Sequence, residues 1–468
     1  MPFASDCKNS GGGDNLTMQP DELNSTQSAA RGSFGLASLV ALVVANMVGA
    51  GVFTTSGYSL AGLGSRQTVM WAWLVGGLVA MAGALSYGRL ARSISQSGGE
   101  YLFLSRAVHP LAGFLAGWIS LIAGFTGAIA LAALTFEIYA VPQDIRPLWL
   151  PSGSVAMATI VAFGLIHSFI KLHGIVSQNV VVVIKLTLLL GFLIYSGWAF
   201  REGAWSGWTM EDEGRPFSWL AFGTALVWIS LSYSGFNAAV YVAGEARHPK
   251  IWVPRAMWVA TAVVTLLYLS LNIVFLYAAE PKAIAGEEPV ARIAAIAIGG
   301  PTLAWLVNVV ISLGMISSVS SMIIAGPRVY AQMANDGVLP RFMAFMPQSA
   351  RQTPISAIWL QSLLACLIVL FYSRLENLLP YLGLTLSLSA AATVGSLFIL
   401  HFNRSLEHRQ SWVWLAIAAV FIVATMTLAT LSAMDRPRQI VPTVITITSG
   451  VIVYGSIKFG NLMRRKTE

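Results

Sequence analysis

The chain alternates long apolar runs with short polar stretches. Residues 1–33 are polar and rich in Gly, Ser, Asn and Asp, and we expect a disordered cytoplasmic tail there rather than a signal peptide. Beyond it, each apolar run is close to the roughly 20 residues that a transmembrane helix needs. The pattern predicts an all-α polytopic membrane protein with twelve transmembrane helices, at residues 34–61, 69–92, 110–139, 152–169, 177–199, 218–243, 256–279, 301–326, 355–373, 378–402, 412–433 and 439–460.

Composition agrees with a membrane protein and excludes several other classes. Of the 468 residues, 56% are hydrophobic and 10% are charged, and the mean hydropathy is +0.70. A soluble domain is about 25% charged, so a soluble enzyme and a nucleic-acid binder are excluded. The net charge of +8 lies in short loops between apolar runs. Two cysteines, Cys7 and Cys366, are too few for a disulfide framework.

The distribution of basic residues predicts the orientation. If the N-terminus is cytoplasmic, 18 of the 28 lysine and arginine residues fall on the cytoplasmic side and nine on the other, with Lys185 inside the membrane. Cytoplasmic loops of membrane proteins carry this excess of basic residues. We therefore expect a multi-pass protein of the cell membrane with both termini in the cytoplasm, which an even number of spans also requires.

Two of the predicted helices carry a polar, glycine-bearing break near the middle. The break is GAGVFTT at 49–55 in helix 1 and SYSGFN at 232–237 in helix 6. Interrupted helices at corresponding positions of two halves point to a transporter binding site. Because five is odd, two blocks of five helices have opposite topologies. The prediction is an inverted repeat at 34–200 (helices 1–5) and 218–403 (helices 6–10), then helices 11 and 12 at 412–460 and a cytoplasmic tail at 461–468.

The breaks have the chemistry of an amino acid site. The N-terminus of a half-helix offers unpaired N–H groups and a positive dipole end, which suit a carboxylate. The carbonyls freed on the other side of the break suit an ammonium. The alternative is close packing of helices through small residues, but the matching break in helix 6 favours binding. A dinucleotide fingerprint is discarded, because Thr54 stands where its third glycine belongs.

Several strings resemble the amino acid–polyamine–organocation (APC) superfamily. The resemblance covers residues 34–460 and implies an amino acid permease with the LeuT-like inverted-repeat fold of the sodium-coupled leucine transporter. The strings that carry it are 46–53 in helix 1, 233–239, 244–250 and 254–256 in and after helix 6, 326–340 at the end of helix 8, and Thr353-Pro354 before helix 9.

The resemblance also implies a substrate site. The family's carboxylate site falls on the backbone of Gly49, Ala50 and Gly51. Its ammonium site falls on the carbonyl of Met47 and on the helix 6 break, here Leu231, Ser232, Ser234 and Gly235. Met322 lines the corresponding wall in helix 8, with Ser321 beside it.

Leu231 departs from the family pattern. Many members carry an aromatic lid over the substrate at this position, so the size of the accepted side chain is open. Three aromatic residues are candidates to replace the lid: Trp228, Tyr233 and Phe236.

Three ionisable residues lie in predicted helices. Lys185 is deep in helix 5, where a lysine must be paired, hydrated or neutral. The string 178–187 resembles sodium-independent family members, whose lysine occupies the place of sodium. Its ammonium is expected to bond to carbonyls of helix 1 and to Ser317 or Ser318. Glu137 and His167 lie near helix ends, and we expect both at the membrane interface.

The function class follows from what is present. We expect a sodium-independent secondary transporter that moves a neutral amino acid by alternating access, with protons as partner. An amino acid exchanger with Lys185 as a fixed charge, or a polyamine or organocation carrier, remains an alternative. No nucleic-acid partner, cofactor or metal site is expected. A membrane enzyme, channel or sensor is disfavoured, since no catalytic constellation, pore motif or soluble module is visible.

Overall fold

A computed structural model describes residues 34–142, 146–169, 174–212, 214–344, 355–372, 374–403 and 411–467. The predicted tail at 1–33 and the Thr353-Pro354 motif lie outside these ranges. The described chain is helical throughout. The α-helices are α1 Leu36–Met47, α2 Gly51–Leu63, α3 Arg66–Ser93, α4 Gly99–Ala107, α5 Pro110–Ile119, α6 Ala128–Ala140, α7 Ser154–Phe169, α8 Gly174–Arg201, α9 Trp219–Ser232, α10 Pro249–Tyr277, α11 Pro281–Ile284, α12 Val290–Asn335, α13 Ile355–Phe371, α14 Leu375–Asn403, α15 Trp412–Asp435 and α16 Ile440–Thr467.

Each of the twelve apolar segments contains a helix. Within the described residues, eight helices are long and apolar enough to cross a membrane. Segment 1 is the pair α1 and α2, bent by 42° at its break, and α7, α9 and α13 are shorter apolar helices. The all-helical membrane architecture is thus confirmed, whereas the count of twelve spans and the inverted repeat remain predictions. α16 extends to Thr467, beyond the predicted end of helix 12 at 460.

Two of the helical segments depart from regular α-helical geometry. Segment 3 joins α5 to α6 through a π-helical turn at Ser120–Gly127. π-Helical turns are rare in proteins, and those that do occur are frequently found at functional sites. α12 is kinked at Gly299 and Gly300, and Gly300 has a φ of +68°. That φ favours glycine because it has no Cβ.

An aromatic cluster packs where α2, α3, α9 and α10 meet. It consists of Trp73, Tyr233 and Tyr268, whose ring centroids are 5.1 to 5.9 Å apart. The indole N–H of Trp73 donates to Ser56 Oγ at 3.0 Å, and the Tyr233 hydroxyl donates to the Trp73 carbonyl at 3.1 Å. Polar tips that find partners allow these large rings to be buried. The cluster holds the two broken segments against their neighbours.

The bundle has two ends, which we call the N-terminal face and the far face. The N-terminal face holds the start of α1 and the loop helix α4. Here Phe34 bonds to Glu245 and Arg247 through the backbone. The far face holds the end of α2 and the loop at 278–289. Here the Gly57 carbonyl accepts the Gly286 N–H at 2.8 Å.

Polar contacts close the far face over α2. The Tyr58 hydroxyl donates to Glu288 at 2.5 Å, and Arg66 pairs with Asp212 at 2.6 Å. A Cβ at Gly57 would lie 2.0 Å from the Glu287 carbonyl, so the chain approaches too closely there for any side chain. α2 is consequently buried along most of its length.

Two ionisable residues were wrongly expected at the interface. Glu137 is 2% exposed, pairs with Arg146 and accepts the backbone N–H groups of Gly153 and Ala156 at 2.8 Å. It therefore satisfies donors at the start of α7, a structural role. His167 is buried and bonds to Ser320 Oγ at 2.8 Å, so it joins α7 to α12.

The orientation is tested by cysteine labelling. In a background with Cys7→Ser and Cys366→Ser, Glu287→Cys on the far face is expected to react with an impermeant maleimide in intact cells. Lys250→Cys, at the N-terminal face, is expected to react only after permeabilisation. Both wild-type side chains are exposed, so accessibility does not differ between the two sites. Labelling of Lys250→Cys in intact cells would contradict cytoplasmic termini.

Candidate functional site

The two broken segments cross at their breaks. α1 ends at Met47 and α2 begins at Gly51, while α9 ends at Ser232 and a 3₁₀-helix follows from Ala238. A Cβ at Gly51 would lie 2.3 Å from Ser232 Oγ and 2.8 Å from Ser232 Cα. The backbones of the two breaks thus approach closely at this point.

Gly235 is the second position that requires glycine. Its φ is +100°, a value that other residues rarely adopt. A Cβ there would lie 2.9 Å from the backbone of Asn46. A side chain at either glycine would therefore disturb the crossing before it blocked a ligand.

One cavity of about 240 Å³ opens beside the crossing. All ten residues that the sequence assigns to substrate binding line it. They are Met47, Gly49, Ala50, Gly51, Leu231, Ser232, Ser234, Gly235, Phe236 and Met322. Ser318 lines the cavity as well. Residues from both breaks and from α12 are thus brought together at one site.

The first break presents backbone donors. Gly49 N–H bonds to the Met47 carbonyl at 2.8 Å, and Phe53 N–H bonds to the Ala50 carbonyl at 3.1 Å. Gly51 and the residue after it open α2, and the first N–H groups of a helix have no partner within it. Unpaired amides at the positive end of a helix dipole are suited to an anion. This end of α2 lies on the wall of the cavity.

Tyr268 on α10 joins the two breaks. Its hydroxyl lies 2.5 Å from the Met47 carbonyl and 3.0 Å from the Ser232 carbonyl, and Tyr268 is fully buried. Part of the proposed ammonium site is therefore already occupied, because the Met47 carbonyl accepts from both Tyr268 and Gly49. In the sequence, Tyr268 is a single tyrosine within an apolar run, and that pattern does not indicate that it joins the two breaks.

Lys185 on α8 also forms a hydrogen bond with the first break. Its ammonium donates to the Val48 carbonyl at 2.5 Å, and its side chain is 6% exposed. Lys185 Cδ would touch a Cβ at Gly314 at 3.0 Å, so the lysine also packs on α12. No bond joins it to Ser317 or Ser318 among the described contacts, and Ser318 instead donates to the Gly314 carbonyl at 3.1 Å. The lysine links α8, the break and α12.

The three aromatic candidates for the lid lie in different places. Phe236 and Tyr233 line the cavity. Trp228 is 4% exposed, packs edge-on against Tyr58 at 5.9 Å, and lies under Arg436 at 5.0 Å. Trp228 therefore belongs to the far-face closure.

Sequence reasoning missed three polar residues of the cavity. Asn46 is exposed there, and its Nδ2 bonds back to the Leu42 carbonyl at 2.8 Å. Glu100 on α4 and Asn237 after the second break also line it, and they bond to each other at 3.2 Å. Asn46 and Asn237 stand within quoted motifs. Glu100 follows Gly98-Gly99 in a loop, where sequence alone does not connect it to the breaks.

Burial raises the pKa of the Glu100 carboxyl above its ordinary value. Hydrogen bonds from Tyr87, Ser389 and Asn237 act in the opposite direction, because they stabilise the ionised form. Glu100 lies on a loop helix outside the predicted spans. It is the acidic side chain among the residues that line the cavity.

An apolar helical bundle with two crossed breaks around a small cavity defines a membrane transporter of the broken-helix type. The family model for amino acid permeases matches residues 34–457. The chain therefore belongs to the amino acid permease family, and the resemblance to the APC superfamily is confirmed.

Curated relatives agree with this assignment. The chain is 25% identical over 443 residues to the Asc-type amino acid transporter 1 of Mus musculus, covering 91% of this chain and 81% of that protein. It is 26% identical over 439 residues to the large neutral amino acids transporter small subunit 2 of Oryctolagus cuniculus, covering 91% and 80%. It is 24% identical over 428 residues to the b(0,+)-type amino acid transporter 1 of Mus musculus, covering 90% and 86%.

The crossing predicts different effects for two neighbouring glycines. Gly51→Ala places a Cβ against Ser232, and overpacking of this kind costs about 1–3 kcal/mol. Gly49→Ala meets only the Met47 carbonyl, at 3.9 Å, an ordinary contact. Thermal unfolding of the purified proteins should show a lower midpoint for Gly51→Ala and a midpoint close to wild type for Gly49→Ala. Equal midpoints would contradict the close crossing.

Proposed function

We propose that this permease moves a small or medium neutral amino acid across the cell membrane by alternating access, without sodium. The observation that carries the proposal is the meeting of two helix breaks at one cavity. A volume of about 240 Å³ is below the roughly 300–1,000 Å³ of sites for drug-sized ligands. A cavity of this size suits a small solute.

The breaks offer complementary groups for an amino acid head. The amides that open α2 at Gly51 suit the carboxylate, because they are unpaired donors at a positive helix end. Ser234, which lines the cavity, and the carbonyl of Leu231 offer acceptors for the ammonium. The Met47 carbonyl contributes less than the sequence indicated, since it already accepts two bonds.

A neutral side chain fits the rest of the cavity. Phe236, Met322 and Leu231 give the wall apolar surface beside the breaks. The polar residues that line the cavity are neutral apart from Glu100. Its carboxylate already accepts from three neutral donors, so a cationic substrate would have to displace one of them. This lining favours a neutral amino acid over a polyamine or other organocation.

Lys185 supports sodium independence. Its ammonium is already bonded to the Val48 carbonyl, in the break where a bound cation would otherwise satisfy freed backbone oxygens. The same geometry is consistent with two modes of transport, proton-coupled uptake and exchange. If Lys185 gives up a proton, the link from the break to α8 and α12 loosens, and the balance of the two access states shifts. If it keeps its charge, the protein is an exchanger.

Ligand recognition is tested with Gly49→Ala. The added methyl group projects into open space at the cavity wall, where the amino acid head is proposed to bind. Equilibrium binding across a panel of amino acids and one diamine should show neutral amino acids as ligands. Gly49→Ala should weaken their binding at least tenfold.

Gly395→Ala is the matched control for this test. It has open space around the added Cβ and does not line the cavity, so it should bind like wild type. Equal affinity of Gly49→Ala and wild type would place the substrate elsewhere. Binding of the diamine alone would favour the organocation carrier.

Coupling is tested by uptake into proteoliposomes with sodium replaced by choline, at several pH values. The wild type should transport equally in both salts. Lys185→Met keeps the length of the side chain without its charge, and leaves the buried Val48 carbonyl unpaired. Transport should fall at least tenfold, and the part of the pH dependence that arises from Lys185 should be lost with it.

Lys250→Met, at an exposed position, is the control and should transport like wild type. Strict sodium dependence of the wild type would contradict both modes of transport. Uptake that requires amino acid on the other side of the membrane would identify an exchanger.

A further inference from the structure

Glu100 is a buried carboxylate that joins three separate helical segments. Its Oε1 accepts from the hydroxyl of Tyr87 on α3 and from Asn237 Nδ2 at 3.2 Å, and its Oε2 accepts from Ser389 Oγ on α14 at 3.0 Å. Glu100 is 7% exposed and lines the cavity. Hydrogen bonds to a charged acceptor are roughly twice as strong as those between neutral groups.

The loop before α4 is built to place this carboxylate. Gly98 and Gly99 both have positive φ, at +143° and +58°. A Cβ at Gly99 would lie 2.3 Å from the ring of Tyr241, so only glycine allows the loop to approach the 3₁₀-helix so closely. Ser97 Oγ accepts the Gly244 N–H at 3.0 Å. The loop thus contacts the chain after the second break at two places, Tyr241 and Gly244.

In the described part of the chain, no basic side chain is recorded facing Glu100. Within the described residues, the titratable groups that face it are the phenols of Tyr87 on α3 and Tyr241 on the 3₁₀-helix. α14 presents the hydroxyl of Ser389 to it. The three hydrogen-bond donors to the carboxylate are therefore neutral, and their bonds are strongest while the carboxylate is ionised.

We propose that Glu100 is a latch at the N-terminal face: its ionised carboxylate ties the chain after the second break to α3 and α14, and its protonation releases them. This inference rests on the alternating access proposed above. Asn237 is two residues from Gly235, so the latch acts directly on the broken segment at the substrate cavity. Glu100 is a positioning residue, since it restrains the wall through Asn237.

Protonation of Glu100 is expected to open the latch. A protonated carboxyl gains a donor and loses an acceptor site, so the bond with Ser389 must reverse its direction, and the two bonds at Oε1 lose the added strength of a charged acceptor. Burial raises the pKa of Glu100, which brings the release closer to neutral pH than for an ordinary glutamate. The latch is closed at high pH and opens as pH falls.

The experiment measures access to the cavity in the purified full-length protein. The reporter is Ser387→Cys, a cavity residue outside the proposed substrate site, in the background lacking Cys7 and Cys366. Its reaction rate with a bulky maleimide should rise about tenfold in Glu100→Gln, which mimics the protonated state. Ser59→Cys, buried in α2 toward the far face, should not become faster.

The pH profile separates a latch from a merely structural residue. The labelling rate of the wild type, divided by that of Glu100→Gln at the same pH, cancels the titration of the thiol itself. This ratio should rise toward one as the pH is lowered from 8. Glu100→Asp, which keeps the charge, should retain the pH dependence. A ratio that stays constant with pH would overturn the proposal.

Two further variants complete the test. Asp336→Asn removes an exposed carboxylate that accepts from Tyr101 on the same loop helix at 3.1 Å, and should label like wild type. If Glu100→Gln does not fold, Ser389→Ala removes one donor and should raise the rate by a smaller factor; an unchanged rate would refute the latch. Access is measured without substrate, so failure of the latch is distinct from failure of amino acid binding.

Discussion

A helix that breaks in an apolar surrounding leaves backbone polar groups without partners, and the site of this permease depends on how those groups are satisfied. Each unsatisfied group would cost several kcal/mol where water is absent. At the first break, Tyr268 reaches the Met47 carbonyl and Lys185 reaches the Val48 carbonyl. Tyr268 also reaches the second break at Ser232. In the described part of the chain, no backbone hydrogen bond from the Gly51 amide at the start of α2 is recorded, and this is the group that the proposed carboxylate site uses.

The same requirement explains why the breaks cross so closely. The single hydroxyl proton of Tyr268 can be shared between two carbonyls only if both lie within hydrogen-bond reach, which the approach of Gly51 to Ser232 permits. Any Cβ at Gly51 would separate the segments and take one carbonyl out of reach. Glycine is therefore present for proximity at Gly51 and for a left-handed backbone at Gly235. Both requirements for glycine arise because the two breaks share a hydrogen-bond donor, and the cavity lies beside the point where the breaks cross.

Much of this arrangement was predictable, and the reasons for the remainder are physical. Apolar runs of span length predict the helices, and a polar, glycine-bearing interruption predicts a break; residues 49–51 and 231–236, at the two breaks, line one cavity. Tyr268, Asn237 and Glu100 act through contacts between distant segments, and period and composition carry no such information. Glu137 shows the converse: an acidic residue near a helix end was expected to meet water, but it satisfies the N–H groups that begin α7.

The two faces of the bundle are closed by different kinds of chemistry. At the far face, close backbone approach at Gly57 and the pairing of Tyr58 with Glu288 and of Arg66 with Asp212 seal α2 into its neighbours. At the N-terminal face, one carboxylate with neutral donors joins α3, α14 and the chain after the second break. A seal made of many packed contacts requires a rearrangement of whole segments to open. A contact centred on one carboxylate is weakened when that single charge is neutralised, and this difference between the two faces is the reason for proposing the latch at Glu100.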